Sequence, residues 1–245
     1  YSRLVTVFGD VPYFDREIGD NELDVLYKDR DSRTVVMDNV FDDFSYVLQN
    51  MRTSDGGAQN LNRYIAAAFI SQFMLFEGTW QKYHLGDNAK ATKYLGLAVQ
   101  AAEVVMQSGK WSFGSDFRRL FGSEDLASNP EVILYRKYDA ALGVTHCIAS
   151  YSNITEGQAA AANLDLIRSF IAKDGQPYQN SAVPNADQFD IANLIVTRDP
   201  RFEATFWDVP RSQASTLLYS DKFIDRVCPT FAGGSYPPIY GSNTN

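Results

Sequence analysis

Apolar residues recur at intervals of three and four through three successive stretches between Arg33 and Gly109. That spacing is the signature of amphipathic helices and excludes the strict alternation of half-buried strands. In the first stretch the apolar positions are Val36, Met37, Val40, Phe41, Phe44, Val47 and Leu48, with Asp42 and Asp43 on the polar side. Asp31 or Ser32 supplies a cap at its start, and Asp55-Gly56-Gly57 breaks the pattern beyond its end. The second stretch runs from about Asn60 to about Tyr83, with an expected apolar face of Leu61, Tyr64, Ile65, Ala68, Phe69, Phe73 and Phe76. Small residues at Ala66, Ala67 and Ala68 would let a neighbouring helix come close. Leu85-Gly86-Asp87 makes the next break, and Asp87 or Asn88 can cap a third helix. That helix carries Ala91, Tyr94, Leu95, Ala98, Ala101, Ala102 and Val105, and Ser108-Gly109 ends it.

Two successive helices with alanines at their crossing resemble a tetratricopeptide-type hairpin, and an ordinary helix pair in a core reads equally well. The composition changes near residue 110. The reading is therefore a helical portion over 1–110 and a loop-rich portion of the same domain over 111–245. Before Arg33, Gly9-Asp10-Val11-Pro12 is turn chemistry, and the chain up to Asp31 reads as loop, including its start at Tyr1. After residue 110, Glu131 to Tyr138 reads as a strand because β-branched and aromatic residues cluster there. Leu164 to Ala172 reads as a short helix stopped by Lys173-Asp174-Gly175-Gln176-Pro177, and Gln188 to Leu194 as a further helical turn. Arg198-Asp199-Pro200-Arg201-Phe202 reads as a turn into an extended segment, Glu203 to Val209, with long loops beyond Ser212. The fold class is mainly α: helical hairpins with an irregular, loop-rich subregion.

Several functional classes are poorly served by these residues. The net charge is −8, from 22 basic and 30 acidic residues, and no basic block marks a nucleic-acid footprint. The longest apolar region, Tyr64 to Phe76, is interrupted by Ser71 and Gln72, so no spanning helix is predicted. Phosphate-binding glycine loops of the GxxxxGK[ST] or GxGxxG kind are absent. Of the two histidines, His146 adjoins Cys147, where strand geometry would point the two apart, and His84 at a helix end reads as structural. Cys147 and Cys228 fit no metal spacing; a disulfide and two buried thiols are both open. The acidic run Asp15, Asp20, Glu22 and Asp24 lacks EF-hand spacing; solvated loop charge is the stronger reading, and a weak calcium site is the alternative. Asp165 and Asp174 flank the short helix and fit capping and turn roles as well as acid–base ones. No cofactor, metal or catalytic residue is expected.

Aromatic residues point elsewhere. The chain holds 3 Trp, 14 Tyr and 16 Phe, 13% of its residues. Sugar rings present apolar C–H faces to aromatic rings and hydroxyls to polar tips, and Tyr and Trp offer both. Tyr151 and Asn153 share a polar loop, Trp207 sits before Pro210, and Tyr236 and Tyr240 lie in a proline-rich stretch. These five are the candidate carbohydrate-binding residues. Trp80 and Trp111 adjoin helix ends and read as packing residues.

Seven segments, in order, resemble the SusD/RagB family. Phe8-Gly9-Asp10-Val11-Pro12-Tyr13 is similar to its GDVP segment, and Arg33 to Leu48 to the helix that follows. Ala67 to His84, containing Leu75-Phe76-Glu77-Gly78-Thr79-Trp80-Gln81-Lys82-Tyr83-His84, resembles the family's L-x-E-G-T-x-x-K-Y-H helix end. Tyr94 to Gly109, then Trp111-Ser112-Phe113, resembles its A-x-x-A-x-x-V-x-x-S-G helix and the segment after it. Asn129-Pro130-Glu131-Val132-Ile133-Leu134 is similar to an N-x-E-V-I strand, Leu164 to Gly175 to an L-V-x-x-F-x-x-x-D-G element, and Arg198-Asp199-Pro200-Arg201 to an R-D-P-R turn. The resemblance implies a SusD-like α/α fold built on tetratricopeptide-like hairpins. It implies a nutrient-binding, surface-exposed outer-membrane lipoprotein of a Bacteroidota-type bacterium. Its task would be non-catalytic capture of an oligosaccharide or polysaccharide for a SusC-like TonB-dependent transporter. The chain then reads as a central portion, with the lipid anchor and closing helices outside it. Two other readings are carried: a glycoside hydrolase or lyase of helical fold, and a helical-repeat scaffold binding protein or peptide.

Overall fold

The structure is a computed structural model, and it describes residues 1–54, 60–117, 120, 125–144, 163–205, 212–213 and 217–218. Two compact units are present. The first comprises Tyr1–Ser112 with Val132–Arg136, and the second comprises Phe113–Glu131 with Lys137–Asn245.

In the first unit the three expected helices form, as α3 (Arg33–Asn50), α4 (Arg63–Trp80) and α5 (Asn88–Met106). Local chemistry sets their ends. Ser32 Oγ accepts from the Val35 amide, and Asp10 Oδ1 accepts from the Arg33 amide at 2.7 Å. Asn62 Oδ1 accepts from the amides of Tyr64 and Ile65, and Asp87 Oδ1 from that of Lys90. Each satisfies amides that a helix start leaves without partners. After α4 the chain makes one π-helical turn, Gln81–Leu85. Gly86 then takes φ 70°, a left-handed conformation that favours glycine, and reverses the chain into α5.

The helix pair α4–α5 is the central contact of this unit. Gly78 on α4 lies directly against Leu95 on α5: a Cβ at Gly78 would stand 2.6 Å from Leu95 Cγ. The core combines Val5, Val36, Met37, Val40, Leu48, Ala67, Ile70, Met74, Tyr94, Leu97, Ala98 and Ala101.

The buried face of α4 differs from the expected one. Ile65, Ala67, Ile70, Met74, Glu77 and Gly78 are buried, whereas Leu61, Phe69 and Phe76 are 57%, 42% and 40% exposed. The reason is the closeness of α5. Small residues admit it, and bulky rings on that face would hold the helices apart. The rings instead stack side by side: Phe69 and Phe44 each stack on Phe73, and Phe76 on Trp80.

Two further expectations fail at the start of the chain. Residues 2–8 are not loop but a helix, α1 (Ser2–Phe8), and a short α2 follows at Leu23–Leu26. The β-branched residues of α1 argue against helix locally, and burial overrides them: Val5 is fully buried. Its carbonyl oxygen accepts from Arg33 Nη1. Between α1 and α3 the backbones of Val11 and Asp31 pair in an isolated bridge, which closes the GDVP loop onto the start of α3.

The strand expected over Glu131–Tyr138 does not form. A β-rich sequence becomes a strand only when another strand lies alongside, and no ladder partner lies there among the described residues. Trp111 Nε1 donates to the Val132 carbonyl at 3.0 Å, a side chain in place of a neighbouring strand.

In the second unit α6 (Leu164–Ser169) is capped by Asn163 and ends sooner than expected, at Phe170. Gly175 takes φ 79° in the turn that follows. There Asp174 accepts from the amides of Gln176 and Ala182 and from Ser181 Oγ. Helix α7 is Ile191–Thr197, close to the turn read from the sequence. The segment after Pro200 is helical, α8 (Pro200–Thr205), where an extended segment was expected. Proline suits a first helical position because its missing amide hydrogen would have no partner there, and Phe202 anchors the turn by burial and by an edge contact with Phe170. Residues Ser212–Gln213 (β1) and Leu217–Leu218 (β2) pair antiparallel.

Candidate functional site

The five aromatic and amide residues named from the sequence, Tyr151, Asn153, Trp207, Tyr236 and Tyr240, lie outside the described residues. So do Cys147, Cys228 and His146. The remaining polar groups fall into four places.

Glu22 accepts from the guanidinium of Arg16 and from the Gly19 amide, and these donors hold its carboxyl down at about 2. Glu22 is thus ion-paired within its loop. Among the described residues no three His, Cys, Asp or Glu side chains gather to hold a metal ion. Asp174 is likewise engaged in a turn, and Asp165 is exposed beside Arg168.

The second place is a buried charge network. Arg33 on α3 binds both carboxylate oxygens of Glu77 on α4, with Nη2 at 2.6 Å and Nε at 3.0 and 3.1 Å. Gln81 adds a third donor to Glu77 at 2.9 Å. The Arg33 guanidinium also lies 4.2 Å over the Trp80 ring, and His84 stacks on Trp80. Trp80 is half-buried and His84 is exposed. All three polar residues are at least 93% buried, so this network is structural.

The third place is Arg198, fully buried in the second unit. It donates to the Ala186 carbonyl and to Thr197 Oγ1, and sits near the rings of Tyr178 and Phe189. It has no carboxylate partner among the described residues, and burial pulls its pKa down. Its hydrogen bonds tie residues 178–189 to the end of α7.

The fourth is an open cleft between α3 and α5, of about 160 Å³. Leu48 and Leu97 are its buried floor, Phe41 and Ser45 are half-buried in its wall, and Gln49, Gly96 and Gln100 are exposed at its rim. Lys93 reaches across it, with Nζ 4.2 Å over the Phe41 ring and 2.9 Å from Asp38. Asp38 also accepts from Lys90 and from the hydroxyl of Tyr94. Sequence reasoning names none of these as site residues. A glycine inside a helical pattern is the signal that points to the place.

These partners give Asp38 and Tyr94 opposite pH dependences. Burial raises the Asp38 carboxyl, and its three donors outweigh burial, so its pKa lies below the ordinary 3.8. A depressed acid adds stability above its unfolded pKa, and that part is lost as pH falls through the folded value. Burial, then Asp38, raises the Tyr94 hydroxyl above its ordinary 10.0. Its contribution is complete below pH 10 and is lost as pH rises, because the unfolded chain ionises first. Denaturant unfolding between pH 8 and 11 should therefore show wild-type stability falling more steeply than that of Tyr94→Phe. Parallel curves would show that Tyr94 does not carry this dependence.

Compared with family models and with curated proteins, the sequence matches none. The structure is similar to that of a SusD-like carbohydrate binding protein from Bacteroides fragilis NCTC 9343, with a TM-score of 0.58 and 19% sequence identity. The match covers 83% of this chain and 37% of that one, so the chain spans little more than a third of that protein's length. This chain thus has the SusD-like fold.

Proposed function

We propose that the chain is part of a non-catalytic glycan-binding protein of the SusD/RagB kind. The observation that carries this reading is the likeness of fold to a SusD-like carbohydrate binding protein over 83% of the chain. An aromatic content of 13% supports it, since aromatic rings are what sugar faces pack on. In this reading the helical portion and the loop-rich portion are parts of one SusD-like domain, and Tyr151, Asn153, Trp207, Tyr236 and Tyr240 contribute ligand contacts. The protein captures oligosaccharides at the outer-membrane surface, held by a lipid anchor, and passes them to a SusC-like TonB-dependent transporter.

Isothermal titration against a panel of polysaccharides and oligosaccharides tests the binding step. At least one glycan should bind in the micromolar to millimolar range, with no release of reducing ends. Absence of heat with every glycan would overturn the reading, and sustained release of reducing sugar would replace it with a hydrolase.

A further inference from the structure

We propose that the cleft between α3 and α5 is a subsite for a single saccharide ring, and that Gly96 is the residue that admits it. This rests on the glycan-binding reading above.

The starting point is a glycine that nothing among the described residues requires. Glycine in a helix interior is unfavourable relative to alanine, because it costs more backbone entropy. Helices α4 and α5 each carry one. At Gly78 the reason is packing: an added Cβ would collide with Leu95. At Gly96, in the middle of α5, an added Cβ would meet nothing within 4 Å. Its backbone is helical, so no left-handed conformation calls for glycine either. What remains is a close approach to the α5 backbone from outside.

The surroundings indicate what approaches. The cleft floor is apolar, from Leu48 and Leu97, and Phe41 forms one wall. Gln49 and Gln100 stand at the rim, and neither side-chain amide has a hydrogen-bond partner among the described residues. Each offers donors and an acceptor together, the combination that an uncharged hydroxyl pair requires. Ser45 gives its proton to the Phe41 carbonyl and keeps acceptor capacity. The Lys93 ammonium is engaged by Asp38. A saccharide ring, apolar on its face and hydroxylated at its edge, fits this set. A partner helix fits less well, because of the positions three and four residues from Gly96 only Val99 is apolar, and Thr92, Lys93 and Gln100 are polar. Pockets that hold whole drug-sized ligands measure about 300–1,000 Å³. At about 160 Å³ the cleft takes one ring, and the rest of an oligosaccharide would extend into solvent.

The test uses the whole chain and a panel of hexasaccharides: malto-, cello-, laminari-, xylo-, manno- and chito-oligomers. Wild type, Gly96→Ala and the double variant Gln49→Ala/Gln100→Ala are compared by titration and by thermal unfolding. For whichever sugar binds wild type, Gly96→Ala should bind about tenfold more weakly or worse while its unfolding midpoint rises. The double variant should bind several-fold more weakly with its midpoint unchanged. Unaltered binding in both variants would overturn the subsite and leave the glycan-binding reading intact. A lowered midpoint in Gly96→Ala would also overturn it, because the glycine would then serve internal packing. If no hexasaccharide binds wild type, the glycan-binding reading fails and the subsite fails with it.

Discussion

Glu77→Ala should destabilise the protein by about 3–5 kcal/mol, the range found when one partner of a buried ion pair is removed. Glu77 is 1% exposed and Arg33 is 7% exposed, so the alanine variant leaves a desolvated guanidinium that has lost all three contacts with its carboxylate. The change also takes from Gln81 Nε2 its 2.9 Å bond to Glu77 and leaves it only the long one, at 3.5 Å, to Thr34 Oγ1. Folded domains are stable by only about 5–15 kcal/mol in total, so this single change should remove a large share. Chemical denaturation of the wild type and of the variant measures it. The matching double variant, Arg33→Met/Glu77→Leu, should recover most of the loss, because apolar side chains of similar volume need no compensation for lost hydration. A double variant no more stable than Glu77→Ala would show that the network's geometry, more than its charge, holds α3 against α4.

Gly78→Val should be the next most damaging change. Its Cβ would sit 2.6 and 2.8 Å from Leu95 side-chain carbons and 3.1 Å from the Leu95 backbone nitrogen. Overpacking of a tight core costs about 1–3 kcal/mol, and valine adds two methyl groups beyond that first carbon. Combining it with Leu95→Ala removes the side-chain collision and leaves the backbone one. Recovery should therefore be partial. Full recovery would mean that α4 and α5 can slide apart at little cost, and no recovery would mean that the backbone contact alone sets their separation. Thermal unfolding of the three variants decides between these outcomes.

Both residues lie within Leu75-Phe76-Glu77-Gly78-Thr79-Trp80, a segment that resembles the SusD/RagB helix end. The structure supplies the physical reason for those letters. Glutamate neutralises a buried arginine from another helix, glycine admits the next helix, and tryptophan roofs the guanidinium. Asp10 of the GDVP segment similarly receives the first amide of α3. The segments that suggested a family are thus explained by joints of the fold, while the ligand-contacting residues proposed from the sequence lie outside the described residues.

The features legible in the residue pattern are local. The positions of α3, α4 and α5, their caps at Ser32 and Asp87, and the turns at Gly86, Gly109 and Gly175 follow from interactions within about four residues. The buried face of α4 depended on which helix came closest, because both of its faces are apolar enough to be buried. Residues 131–138 have strand composition and no strand beside them among the described residues, and α1 forms against local propensity because Val5 has a core to enter. Arg33 and Glu77 stand 44 positions apart, and the α3–α5 cleft joins residues at least as distant in sequence. Pairings of that kind are set by burial and close packing between helices. A pattern that repeats every three or four residues carries no information about them, so they became visible only in the tertiary structure.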